Sequence, residues 1–311
     1  MSGVKIRGTG RGLPRGVLTN GQLAQRVDTD GQWIFSRTGI QERRICAGET
    51  HAELSAAAAR GAMERAGISP EDIGVCIVAT VTPDTLVPSA ACTLQKTLGL
   101  SHDTLCFDLN AACTGFLYAL HTAECLLAAA PGKFGLVVGA DLISRLLDWS
   151  DRGTCILFGD GAGAAVVEWR AEWPSIGAVL GCAGNGEVLH CPARDGHLSM
   201  EGRRVFKFAL EAAPWCIDQV LARQGITAEE VDFFVFHQAN ARIIDLAASK
   251  YHIPPEKYRK NIQRFGNTSA ASIPILLSEL EEDGNLRSGS RALLVGFGGG
   301  LTWGGCLVEF A

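Results

Sequence analysis

One block of this 311-residue chain is written twice. "RAGISPEDIGVCIVAT" begins at Arg65 and "RQGITAEEVDFFVFHQ" at Arg223, an offset of 158 residues. Each copy reads as a helix end, a glycine, a turn with an acidic pair and an apolar strand. "AACTGFLYAL" aligns with "AASIPILLSEL", which sets Cys113 opposite Ser272 at an offset of 159. "KFGLVVGA" aligns with "SRALLVGF", which sets Gly139 opposite Gly296 at an offset of 157. Three segments at nearly one spacing identify a duplicated supersecondary unit.

The duplication predicts two similar halves, residues 1–170 and 171–311, within one fold. Each half offers a buried strand (Gly74–Thr80; Asp232–His237), a strand–turn–helix, and a second buried strand (Gly135–Gly139; Ala292–Gly296). Runs such as "GLVVGA" and "ALLVGF" are apolar without alternation, as central strands covered on both faces require. Alanine-rich stretches such as "AELSAAAARGAMERAG" suit helices packed closely between or against sheets, and 37 glycines suit many tight strand–helix turns. The expected fold is α/β, layered and pseudo-twofold. Its site should lie where equivalent turns of the halves meet, because only one half carries the cysteine.

A net charge of −5 argues against a general nucleic-acid binder. No window reaches the ~18 apolar residues of a membrane span, and "MSGVKIRGTG" contains no apolar leader. Eleven cysteines, none in a CxxC pair, do not form a secreted disulfide framework, so a cytoplasmic protein is expected. Cys182, His190, Cys191 and His197 cluster in "CAGNGEVLHCPARDGH", but their spacing matches no familiar zinc pattern, and no metal is expected.

Cys113 follows a short strand, Leu105–Leu109, and opens a helix running to about Ala129. A thiol there feels the positive end of the helix dipole, which favours the thiolate; a buried cysteine that fills core is the alternative. His237 ends the strand of "DFFVFHQAN", where α/β folds place their site crevice; a structural histidine reads equally well. Asn267 of "RFGNTSAASIP" lies in the turn before the helix that pairs with the Cys113 helix, a position open to an ordinary cap. "GFGGGLTWGG" (296–305) is not GxGxxG, since Leu301 takes the third glycine's place. Its consecutive glycines can present backbone N–H groups to an oxyanion or simply reverse the chain.

Together with "WIFSRTGIQERR", "PSAACTLQ", "DRGTCILFGDGAGAAVV" and "HQANARI", the motifs "AACTGFLYAL", "GNTSAASIP" and "GFGGGLTWG" occur in one order along the chain. In this the sequence resembles the β-ketoacyl-acyl-carrier-protein synthase III family, condensing enzymes of the thiolase superfamily, over essentially its whole length. The resemblance implies a thiolase-like αβαβα fold and decarboxylative condensation of an acyl-CoA primer with malonyl-acyl carrier protein, beginning fatty-acid synthesis. A relative that primes a polyketide or other secondary metabolite, and a non-catalytic partner subunit, are the alternatives.

By the same resemblance Cys113 would carry the acyl group, with backbone N–H groups of Cys113 and Gly299 as oxyanion hole. His237 and Asn267 would donate to the malonyl thioester oxygen. Trp33 and Arg152 would sandwich the CoA adenine, and Arg37, Phe206, Asn240 and Arg242 would line its pantetheine arm or phosphates. Phe297 would be an apolar gate, and Val87, phenylalanine in many members, would close the acyl pocket of a partner in a homodimer. Valine leaves more room, which implies a primer longer or more branched than acetyl. No cofactor is implied beyond these substrates. Six basic and two acidic residues between Arg242 and Arg264 suggest a dock for acidic acyl carrier protein.

Overall fold

The computed structural model describes residues 3–130, 134–194 and 196–311. In chain order they form β1 (Gly3–Gly12), then an insert of β2 (Gly16–Thr19), α1 (Asn20–Leu23), α2 (Gly31–Thr38) and β3 (Glu42–Ile45). There follow α3 (His51–Ala66), β4 (Ile73–Ala79), α4 (Ala90–Leu98), β5 (Leu105–Leu109), α5 (Gly115–Ala128), β6 (Phe134–Leu142) and β7 (Asp160–Arg170). The rest comprises β8 (Val179–Cys182), the two-residue strands β9 (Leu189–His190) and β10 (Ser199–Met200), α6 (Gly202–Gln224) and β11 (Phe233–Phe236). Then come α7 (Ala241–Lys250), α8 (Ile262–Phe265), α9 (Ser272–Glu282), β12 (Arg291–Gly298) and β13 (Thr302–Glu309). Lys133, which opens the "KFGLVVGA" repeat, lies outside the described residues.

One sheet runs β1-β7-β6-β4-β5 and the other β8-β13-β12-β11. Their pairings correspond: β4–β6 and β11–β12 are parallel, while β6–β7 and β12–β13 are antiparallel. The place of β5 is held in the second sheet by a single parallel bridge, Phe234 to Tyr258. Buried residues sort the fold into five layers. α3 and α4 cover the outer face of the first sheet, α5 and α9 lie between the sheets, and α6 and α7 cover the second. This is the αβαβα arrangement, with "AELSAAAARGAMERAG" on the outside and the central layer made by α5 and α9.

Apolar strands require this layering, since "IGVCIVA" of β4 has side chains buried on both faces. Close approach of helix to sheet requires small residues. At Gly139 of β6, a Cβ would overlap the Ala270 carbonyl in the turn before α9.

The structure corrects the register of the second repeat. Cys113 lies in a 3-10 turn, Ala112–Thr114, and the corresponding turn before α9 is Ser269–Ala271. Ala112 and Ser269 share the same left-handed backbone, φ 47° and 52°. Cys113 is therefore equivalent to Ala270, not Ser272, and Asn110 to Asn267. Similarity of "AAC" to "AAS" had pulled the alignment two residues out of step.

The insert is fastened by Arg43, which is fully buried and donates to Leu18 O (3.1 Å), Asn20 Oδ1 (3.0 Å) and Ile156 O (2.6 Å). Burial lowers its guanidinium to about 10. The clamp holds α2 beside the loop that carries Arg152.

Candidate active site

The left-handed turn at Ala112 swings Cys113 off the end of β5 and against the end of β12. Gly298 permits this approach, because a Cβ there would stand 2.8 Å from the Cys113 Cβ. The thiol is 8% exposed and touches two cavities. The larger, about 720 Å³, is lined by Leu86, Ile143, Leu146, Phe158, Leu189 and Leu198, with Ser269 and Gly299 beside Cys113. The smaller, about 190 Å³, is lined by His237, Asn267, Phe297, Phe206 and Asn240. A separate depression of about 630 Å³ at the amino end of α3 holds none of the sequence candidates.

Burial pushes the Cys113 thiol up to about 11, opposed by hydrogen bonds from the Ser269 side chain and from the backbone N–H groups of Cys113 and Gly299. The expectation of a ready thiolate is thus reversed in the resting protein. α5 begins only at Gly115, two residues beyond the thiol, and desolvation is the largest influence on it. The two N–H groups aimed at the sulfur are the pair that a tetrahedral oxyanion needs. Thr302 braces this loop, donating to Gly299 O at 2.9 Å and accepting from Thr114 Oγ1 at 2.9 Å.

His237 follows β11 directly and is 2% exposed. Burial lowers its imidazole to about 3, so the ring is neutral near pH 7. Its Nδ1 has no hydrogen-bond partner among the described residues. As the Nε2–H tautomer the neutral ring would present a donor to the smaller cavity. Phe297 packs edge-on against the ring, centroids 5.4 Å apart.

Asn267 is fixed from three sides. Its N–H donates to Leu157 O (2.8 Å), its carbonyl accepts from Gly159 N (3.0 Å), and its side-chain Oδ1 accepts from Ser269 N (2.9 Å). The last bond spends the amide oxygen on the backbone and leaves Nδ2 to face the cavity. Asn267 therefore presents a donor beside the His237 ring.

Among the binding candidates, Phe206 and Asn240 line the smaller cavity, and the Arg242 guanidinium lies 5.2 Å from the Phe206 ring. Asn240 caps α7 and donates to Arg37 O at 3.0 Å, joining the insert to the second half. Arg152 rests on Trp33 at 5.5 Å and donates to Asp28 O. An aromatic ring between them needs about twice the ~3.5 Å contact distance, so Arg152 must swing out to admit one.

Phe297 lines the smaller, donor-side cavity, because it points from β12 toward His237. Val87 is 88% exposed and lines neither cavity of its own chain, whereas Leu86 borders the larger one. The basic run is also less free than its sequence suggests: Arg259 pairs with Asp283, Lys260 with Asp245 and Arg264 with Glu279. Lys257 donates to the carbonyls of Glu229 and Val231. Arg242 and Lys250 remain without an ion pair among the described residues.

Among the described residues no cluster of three or more His, Cys, Asp or Glu is placed to hold a metal. Cys306 on β13 is buried in the layer between the sheets, away from both cavities. Sequence reasoning missed Ser269 and Asp141, whose carboxylate is buried next to the Cys113 turn. The Ser269 signal was the Asn110–Asn267 correspondence, which places a hydroxyl in the second half opposite Ala112.

Family models place the two halves in one group. Residues 107–184 match 3-oxoacyl-[acyl-carrier-protein] synthase III, and residues 221–310 match the C-terminal part of the same family. The β-ketoacyl-[acyl-carrier-protein] synthase III of Clostridium acetobutylicum is 44% identical, with 100% of this chain and 99% of that protein covered. The crystal structure of 3-oxoacyl-[acyl-carrier-protein] synthase III from Aquifex aeolicus VF5 superposes with a TM-score of 0.94 at 44% identity, covering 99% of this chain and 100% of that one. The priming β-ketosynthase of the R1128 polyketide pathway also reaches 0.94, at 34% identity, covering 99% and 96%.

Proposed function

Because this chain belongs to the 3-oxoacyl-[acyl-carrier-protein] synthase III family and is a condensing acyltransferase, we propose the following division of labour among its residues. Cys113 takes an acyl group from acyl-CoA as a thioester while the N–H groups of Cys113 and Gly299 hold the oxyanion. Malonyl-acyl carrier protein then enters by the smaller cavity. Loss of CO₂ moves negative charge from the carboxylate to the thioester oxygen, where His237 and Asn267 donate hydrogen bonds. Such donors act chiefly in the transition state. The carbanion attacks the acyl-cysteine carbonyl and forms the β-ketoacyl product, the first elongation of fatty-acid synthesis.

The observation that carries this reading is the bond from Ser269 N to Asn267 Oδ1, which makes Asn267 a donor next to neutral His237. A base pair built to abstract protons would need the opposite polarity.

The site's surroundings support finer assignments. Trp33 and Arg152 hold adenine, and Arg37, Phe206, Asn240 and Arg242 hold the arm and phosphates of CoA. The larger cavity's apolar wall supports a primer longer or more branched than acetyl. The exposure of Val87 supports a homodimer in which this residue reaches a partner's cavity. We read the halves as 1–170, bearing the nucleophile, and 171–311, bearing the donors. No helix among the described residues is long and apolar enough to cross a membrane, and we place the enzyme in the cytoplasm.

Intact-mass analysis after mixing with acyl-CoAs of graded length tests the assignment. The expected result is an acyl adduct lost in Cys113→Ala and discharged by malonyl-acyl carrier protein. No adduct would favour a non-catalytic partner subunit, and rates falling steadily from acetyl-CoA would remove the long-primer reading. The likeness to the R1128 priming enzyme supports polyketide priming as a second reading, tested by which carrier protein discharges the adduct.

A further inference from the structure

The two proposed donors stand on elements that do not pair with each other: His237 follows β11, and Asn267 comes after α8. In the first half the strand corresponding to β11 is β4, and the turn corresponding to Asn267 begins at Asn110. A ladder spaces those two, since β4 and β5 pair from Val75–Leu105 to Ala79–Leu109. The same correspondence that matches Asn110 with Asn267 matches β5 with residues 262–266. There the chain forms α8 instead, a turn of helix that cannot extend a ladder from β11. Among the described residues β11 meets this side of the chain through one bridge, Phe234 to Tyr258, which falls short of His237.

Gln238 supplies the tie that the missing ladder would give. It follows His237, is 1% exposed, and has every bonding position of its side-chain amide filled. Nε2 donates to Phe236 O at 2.9 Å and to Arg259 O at 3.4 Å. Oε1 accepts from Asn261 N at 3.0 Å and from Ile262 N at 3.3 Å. One side of the amide thus holds the carbonyl that precedes His237, and the other holds the N–H groups at the amino end of α8. α8 carries the position onward, Gly266 N donating to Ile262 O at 2.9 Å, and Asn267 comes next. The Gln238 main chain is fixed as well, its N–H donating at 2.7 Å to Oγ of Ser272, the first residue of α9. A buried amide satisfied on all sides rigidifies its surroundings, whereas an apolar side chain of that size would leave these groups free to shift.

Resting on the reading of His237 and Asn267 as the condensation donors, we infer that Gln238 is the positioning residue that sets their spacing. It lines neither cavity and acts through the two side chains it ties together. Charge developing on one thioester oxygen needs both donors within hydrogen-bond reach of that oxygen at once. A shift of one donor against the other loses one of the two bonds, however well each is held by itself. Acyl transfer to Cys113 uses the N–H groups of Cys113 and Gly299 and does not draw on this spacing.

The test is single-turnover kinetics on the full-length protein, with Cys113 loaded from an acetyl- to octanoyl-CoA series and then discharged by malonyl-acyl carrier protein. Gln238→Met keeps the volume and removes the amide. Discharge should slow about 100-fold, with the loading rate and the KM for malonyl-acyl carrier protein within about twofold of wild type. In an Asn267→Ala background one donor remains and spacing has no meaning, so the same substitution should cost less than about threefold. An unchanged discharge rate, equal losses in loading and discharge, or the full loss repeated on top of Asn267→Ala would each overturn the inference. Should Gln238→Met fail to fold, Ser272→Ala removes the acceptor of the Gln238 N–H and is read by the same cycle, with a loss of about tenfold expected. The two ideas separate in the background variant. Asn267→Ala discharging as fast as wild type removes the donor reading and the inference with it, whereas a slow Asn267→Ala whose loss adds to that of Gln238→Met removes the inference alone.

Discussion

Gly298 stands so near Cys113 that a methyl group on it would lie 2.9 Å from the Cys113 backbone nitrogen. That nitrogen belongs to the proposed oxyanion pair, and Gly298→Ala must push the Ala112–Thr114 turn outward. We expect acyl loading to fall about 100-fold, as sub-ångström misplacement of a donor commonly costs. Overpacking should reduce stability by about 1–3 kcal/mol. Adduct formation rates and a denaturant titration check both.

Loading and condensation should separate in the donor variants. His237→Ala and Asn267→Ala are each expected to slow condensation about 100- to 1000-fold, the usual loss for an oxyanion donor, with a smaller effect on acylation of Cys113. Equal losses in both half-reactions, measured by single-turnover kinetics, would assign these side chains to structure instead.

His237 also predicts a pH effect on stability. Its folded pKa, about 3, lies below the unfolded value near 6.5, so between them the unfolded chain binds a proton that the folded chain does not. Stability from this group is full above pH 6.5 and declines as pH falls, by about 1.4 kcal/mol per unit. Asp141 and Asp160, raised by burial, contribute the opposite slope at acid pH. Comparison with His237→Asn cancels them. Urea midpoints from pH 7 to 4.5 should fall more steeply in the wild type.

Trp33→Ala and Arg152→Ala should each raise KM for acyl-CoA about three- to tenfold, within the range of a cation–π contact. Neither should alter kcat much, because both lie remote from the sulfur. An acyl donor lacking the nucleotide should be indifferent to both changes.

Charge reversal can locate the carrier-protein dock. Lys250→Glu should raise KM for malonyl-acyl carrier protein several-fold, an effect diminishing with salt. Arg259→Glu, already neutralised by Asp283, should do less at the dock. Equal effects from both would restore the whole 242–264 segment as the docking surface.

Much of this architecture was legible in the duplicated strands, because continuous apolar runs admit few placements other than the centre of a covered sheet. β5 begins and ends where its sequence suggested, at Leu105 and Leu109. The turn itself was less legible. A left-handed alanine and a left-handed serine carry no compositional signature, so Ala112 and Ser269 were not recognised as equivalents and Cys113 was paired two residues off. Side-chain cavities were harder still. Phe297 reads from the sequence only as an apolar gate, and its place on β12 sets it edge-on against His237. Asp141 sat unremarked in "VVGADL", because its carboxylate is held by Val81, Thr82 and Ala270, none near it in the chain.

The two cavities meet around Cys113, Phe158 and Leu189, and the narrower one is lined by both proposed donors. A CoA arm and a carrier-protein arm cannot share about 190 Å³, so one must depart before the other arrives. On the proposed route the enzyme is a turnstile: its order of events is enforced by width, with spent CoA obstructing the incoming carrier protein at the door while the acyl chain waits behind it.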